Sequence, residues 1–153
     1  MKYPRYLVTA SDDYCTYLFF SEGLRGRIAK GVIYSRIEGN LFNLGFGDWN
    51  EEFQELDDSN RSNNGDRDKV LATVAFTAFD FTNKYPDAWI VAEGSTPTRT
   101  RLYQMGMADN LLEINENFEI DGLLNGLWEP FQRGMNYEAF LIRRKKIRKF
   151  ETI

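Results

Sequence analysis

The stretch Gly94-Ser95-Thr96-Pro97-Thr98-Arg99-Thr100-Arg101-Leu102-Tyr103 gathers two arginines, several hydroxyls and a tyrosine where a strand gives way to a helix. Ser95 or Thr96 suits a helix N-cap, and Pro97 suits the first helical position, where a missing N–H costs little. Arg99 then falls at the third helical position, where a cation opposes the helix dipole by about 0.3–1 kcal/mol. Local helix stability does not account for it, whereas a bound phosphate or carboxylate does. Arg99 or Arg101 would grip such an anion in a bidentate fork, with the Thr98 and Arg99 N–H groups and the Ser95 or Thr96 hydroxyl completing the cradle. The competing assignment pairs these arginines with Asp66, Asp68 or Glu93 and makes them internal ties.

A second loop, Asn63-Asn64-Gly65-Asp66-Arg67, also enters a helix. Asn and Gly tolerate positive φ, so it reads either as a backbone nest for an anion or as a plain tight turn. It approaches the first loop if both helices lie on one side of a sheet. Neither loop has the glycine spacing or the Lys-Ser/Thr ending of the common phosphate loops. Tyr103 stands one turn from Arg99 and is a weak candidate for a general acid; its other reading is a partly buried core residue. Ser95, Thr96 and Cys15 are the nucleophiles nearest to consideration, with only carboxylates, lysines or tyrosines as bases.

The chain contains no histidine and one cysteine, Cys15. Histidine triads, His-containing metal sites, internal disulfides and multi-cysteine zinc sites are therefore excluded. Cys15 is most simply a small buried hydrophobe. Six carboxylates between positions 48 and 58 (Asp48, Glu51, Glu52, Glu55, Asp57 and Asp58) read as a solvated loop, or alternatively as an all-oxygen cation site, although the calcium-loop spacing is missing. Arg143, Arg144, Lys145, Lys146, Arg148 and Lys149 contribute +6 to a net charge of −4, so the remainder carries −10. That basic end, a tail over 143–153, is weakly suited to nucleic acid; a strand running into solvated chain is the plainer reading.

These groups need elements to hold them. A length of 153 residues, with 42% hydrophobic and 15% aromatic content, predicts one ordered domain. Strands are expected at Arg5–Ala10, Tyr14–Ser21, Ile28–Ile37 and Leu41–Phe46, joined as an antiparallel meander. A helix is expected from Arg67 to Tyr85, capped by Asp66, with Val70, Val74, Ala78 and Phe81 on one stripe. Ala88–Ala92 reads as a central strand covered on both faces, the next helix runs to about Met107, and Phe118–Ile120 and Ala139–Arg143 close the sheet around a loop over 121–136. The fold class is α+β: an antiparallel meander, then α-β-α-β crossovers, with a mixed sheet and two main helices. The polar start, Met1 to Arg5, and the lack of a membrane-length apolar stretch make a cytoplasmic location the expectation, with no membrane partner.

Asn43-Leu44-Gly45-Phe46-Gly47-Asp48, the run from Asn63 to Val74, Gly94 to Tyr103 and Asn136-Tyr137-Glu138-Ala139-Phe140 together resemble a family of small bacterial proteins, a domain of unknown function, over nearly the whole length. A looser likeness is to the GCN5-related N-acetyltransferases. Leu102-Tyr103-Gln104-Met105-Gly106-Met107 is similar to the helix that carries that fold's tyrosine acid, and Arg61 to Arg67 falls where its coenzyme A loop lies. That loop's usual Arg/Gln and second Gly are missing here, and its amino-terminal helices are not evident. The expected activity is thus binding of an anionic small molecule or nucleotide, no particular cofactor being specified. An acyltransferase-like enzyme and a structural or protein-interaction module are the alternatives.

Overall fold

The computed structural model describes residues 4–57, 63–94 and 96–146. Nine strands among them form one sheet, and three helices accompany it. Strands β1 (Thr9–Ala10), β2 (Thr16–Gly23), β3 (Gly26–Glu38) and β4 (Leu41–Asn50) form the expected antiparallel meander. A short strand β5 (Glu55–Asp57) then folds back on the end of β4. Helix α1 (Arg67–Lys84) crosses to β6 (Trp89–Ala92), which pairs parallel with the start of β4. Helices α2 (Pro97–Asp109) and α3 (Leu111–Asn117) follow, and β7 (Phe118–Leu124), β8 (Leu127–Pro130) and β9 (Ala139–Arg144) complete the order β1-β2-β3-β4-β6-β9-β7-β8.

One face of this sheet is a continuous apolar floor, because the period-2 alternation of the strands stays in phase across the ladder. Tyr34, Leu44, Ala92 and Phe140 stand in one row, and Phe42, Ile90, Ile142 and Ile120 in the next. Helix α1 covers it with the expected stripe: Val70, Val74, Ala78 and Phe81 are all buried. Phe81 stacks on Tyr34 with ring centroids 4.2 Å apart and meets Phe42 edge-on at 5.0 Å. Leu71 on its flank packs against Gly106 of α2, bringing the two helices together on the same side. On the opposite face Gly31 and Gly45 leave room for Trp49 and Leu56, so β5 folds its own lid over that end of the sheet.

Several expectations are corrected. Only Thr9 and Ala10 of the first strand pair with β2; the preceding residues run along α1, where the Tyr6 N–H donates to Thr73 Oγ1 and Arg5 lies over the Phe76 ring. The loop expected over 121–136 contains the β7–β8 hairpin, turning at Asn125 and Gly126, both at positive φ. Helix α3 fills a stretch that had no expected element. The acidic stretch is the β4–β5 hairpin rather than a loop: Asp48 turns inward while Glu51, Glu52 and Glu55 are exposed, and Asp58 lies outside the described residues. Cys15 is half-buried against the core edge. Finally, the basic end begins with two structural arginines. Arg143 binds Glu119 and Asp121, and Arg144 donates to Thr82 Oγ1, the Phe79 carbonyl and Asn83 Oδ1 at the end of α1. Lys145 and Lys146 are exposed, and Arg148 and Lys149 lie outside the described residues.

Candidate functional site

β4 offers a single edge to two partners. Residues 41–44 pair with β6 and residues 48–50 with β5, so beyond Leu44 and Ala92 the parallel strands part company. A cleft of about 640 Å³ is lined by the far end of β4, by the start of α1 and by the first two turns of α2. In mixed sheets the carboxyl ends of strands, next to helix N-termini, are where ligands collect.

The two sequence-predicted loops meet there. Asn63, Asn64, Gly65 and Arg67 line the cleft together with Thr98, Arg99 and Tyr103. Asn64, however, is a structural pin. It is only 2% exposed; its Nδ2 donates to Ser21 Oγ at 3.0 Å and to the Gly26 carbonyl at 2.9 Å, and its Oδ1 accepts from the Arg25 N–H at 2.6 Å. Asn63 Oδ1 accepts from the Gly65 N–H, closing a tight turn with Gly65 at φ +78°. Asp66 occupies the N-cap position of α1, yet its side chain does not cap. Its Oδ2 accepts instead from Tyr6 Oη at 2.6 Å and Ser21 Oγ at 2.5 Å. The first turn of α1, Arg67 to Lys69, therefore faces the cleft without a side-chain cap.

The start of α2 is organised differently. Thr96 is its N-cap, with Pro97 at the first position as expected, and Thr96 Oγ1 accepts from the Arg99 N–H at 3.3 Å. That N–H, assigned from sequence to an anion cradle, is thus used by the cap. Gly94 closes over the helix: its N–H donates to Thr100 Oγ1 at 3.0 Å, and a Cβ built on it would lie 2.6 Å from the Arg99 carbonyl carbon. The turn seats α2 and leaves its side chains to make the site. Arg99 is half-buried in the cleft wall. Arg101 is exposed and lines a second cavity, of about 500 Å³, with Thr96, Gln104 and Glu138. Of the acids offered as alternative partners, Asp66 accepts from Tyr6 and Ser21, Asp68 lies 3.9 Å from Arg67, and Glu93 lines the second cavity with Arg101. Ser95 lies outside the described residues.

Tyr103 is buried beside Arg99. Burial pushes its hydroxyl up to about 12, with the Arg99 charge pulling the other way. It holds its proton throughout the neutral range. The cleft floor also contains a pair that sequence reasoning missed: Lys30 on β3 and Asp48 on β4, directly opposite in register, with Nζ and Oδ1 2.5 Å apart. The signal was a lysine at an inward position of a strand otherwise reading Val32 and Tyr34. Among the described residues no three metal-ligating side chains come together, and no helix is long and apolar enough to cross a membrane.

A family-wide sequence model described as a family of unknown function (DUF6934) matches residues 2–145, and the chain belongs to that family. No curated protein and no solved structure matches it.

Proposed function

We propose that this member of the family binds a phosphate-bearing or other anionic ligand in the cleft between the starts of α1 and α2. The observation that carries the reading is the convergence of an α1 N-terminus lacking a side-chain cap with Arg67, Lys69 and Arg99 on one cavity of about 640 Å³. The N–H groups of the first helical turn and the helix dipole favour an anion at α1, and a guanidinium such as that of Arg99 is a planar, bidentate donor that a lone helix end lacks. The Thr96 cap and the contact of Gly94 with Thr100 seat the start of α2, which carries Arg99. The volume suits a small-molecule ligand.

The test is thermal unfolding in the presence of inorganic phosphate, pyrophosphate, nucleotides, coenzyme A and short oligonucleotides, since a ligand selective for the native state raises its apparent stability. A phosphate compound is expected to raise the Tm of the wild type and not that of Arg99→Ala, whose own fold remains intact. Unfolding of Arg99→Ala would instead favour the structural module in which this arginine is an internal tie.

A second reading, acyl transfer, is favoured by one observation. Tyr103 lines the same cleft with its proton retained, as an acid for a departing thiolate must be. Thioester hydrolysis or transfer from acetyl-coenzyme A, lost in Tyr103→Phe, is its expected signature; no turnover and no thermal shift at millimolar acetyl-coenzyme A refutes it.

A further inference from the structure

The helical period divides α2 between two cavities: Arg99, Leu102 and Tyr103 face the first cleft, and Arg101 and Gln104 face the second, of about 500 Å³. The far wall of the second is the chain entering β9, Asn136 to Glu138, and its end is Glu93, the residue after β6. Pairing of Ala92 with Phe140 brings Glu93 and Glu138 to the same end of the sheet.

That wall has no regular structure, yet it is fixed. Gln104 spends both ends of its amide on it: Nε2 donates to the Met135 carbonyl, and Oε1 accepts from the Tyr137 N–H at 3.1 Å. The Tyr137 ring is buried over Gly122, where a Cβ would lie 2.3 Å from it. Glu138 Oε1 accepts from the Asn125 N–H at 3.3 Å, which ties its carboxylate to the β7–β8 turn. The two sides of the cavity therefore keep their spacing.

The internal tie that would pair Arg101 with Glu93 is not made. Among the described residues neither side chain has a hydrogen bond or an ion pair, and the Asn136 amide has none either. The charges around the cavity select among ligands. A simple anion would meet Glu93 and Glu138, and a simple cation would meet Arg101, whereas a molecule carrying both charges is matched at each end. The planar fork of Arg101 suits a carboxylate, and an ammonium with three donors suits Glu93 and the Asn136 carbonyl. Pro97 and Tyr137 are the apolar side chains of the lining, so the remainder of the ligand is small or polar.

We propose that the second cavity binds a free amino acid, its carboxylate on Arg101 and its ammonium on Glu93, with Glu138 adding negative charge beside it. The site is separate from the anion cleft and requires no covalent step.

Isothermal titration calorimetry with α-amino acids, and with ω-amino acids of increasing chain length, tests the assignment. Each is compared with its N-acetyl and its amide derivative, which lose one charge apiece. At least one amino acid is expected to bind about tenfold or more tightly than either derivative. Arg101→Gln and Glu93→Gln, both at exposed positions, should each weaken that binding about tenfold or more while unfolding near the wild-type midpoint. Should one of them fail to fold, the other decides. Arg99→Ala, on the opposite side of α2, should keep the affinity within about twofold, whether or not the first cleft takes an anion. The assignment is overturned if no amino acid binds the wild type at millimolar concentration, or if a derivative binds as well as its parent. It is equally overturned if a folded Arg101→Gln or Glu93→Gln keeps the affinity, or if Arg99→Ala abolishes it.

Discussion

Replacing Asn64 by alanine tests how the cleft is held open. Its side chain makes three hydrogen bonds, to Ser21 Oγ, the Gly26 carbonyl and the Arg25 N–H, and these pin the entry to α1 onto the β2–β3 turn. Each such bond contributes about 0.5–1.5 kcal/mol net, and leaving a partner unsatisfied adds to the loss. Arg25 and Gly26 are exposed and recover water when the amide is removed, and Ser21 keeps Asp66 as its acceptor. The expected destabilisation is therefore about 2–3 kcal/mol, below a full set of orphaned groups. For a chain of this length that is a fall in Tm of about 5–10 °C. Thermal and urea unfolding followed by circular dichroism measure it. Asn64→Asp keeps the acceptor for Arg25 but loses both donors and adds a charge near Asp66, so it should be no better at neutral pH. A loss below about 0.5 kcal/mol in Asn64→Ala would falsify the pinning argument, because surface substitutions fall in that range.

Gly94→Ala should destabilise by about 1–3 kcal/mol, as overpacked sites do, because the new methyl meets backbone atoms of Arg99 and Thr100; denaturant unfolding tests it, and an unchanged midpoint would refute the close approach. Phe81→Ala, which removes the ring shared by Tyr34 and Phe42, should cost about 3–5 kcal/mol by the same assay. Tyr103 has a folded pKa raised from 10.0 to about 12, so its contribution to stability is full below pH 10 and is lost as pH rises through 12. Phenolate absorbance should show one fewer late-titrating tyrosine in Tyr103→Phe. Asp13, held below its usual 3.8 by the Ser11 hydroxyl and the Cys15 N–H, contributes in the opposite sense. Its share is present above the unfolded value and lost as pH falls through the lower folded one, and carboxylate chemical shifts should report a depressed midpoint for it.

The elements most legible from sequence were those whose signals are local and redundant. α1 combined an apolar stripe with Pro86 beyond its end, and α2 began at Thr96-Pro97 because a cap and a fixed φ coincide there. Asn125-Gly126 between apolar residues is a strong hairpin signal, and it was absorbed into an expected loop by the surrounding glycine, proline and asparagine. Asp66 shows a different limit. Its type and position suit a cap, but a tyrosine and a serine distant in sequence take its carboxylate, a competition that no local rule contains. The meeting of the two loops depended on which side of the sheet each helix chose. Lys30 and Asp48 became neighbours only through strand register, although the inward lysine was readable from alternation alone.

The divided edge of β4 also carries a consequence for the order of assembly. β2, β3 and β4 are linked by turns of a few residues, so their contacts are nearly local, whereas pairing Leu44 with Ala92 brings together residues separated by the whole of α1. Closing that loop costs entropy before any contact repays it, so such pairings form slowly. The cleft exists only once the late pairing is made, and a ligand that spans α1 and α2 recognises the finished chain and not the early meander. Ligand-dependent fluorescence during refolding would then rise with the slowest phase.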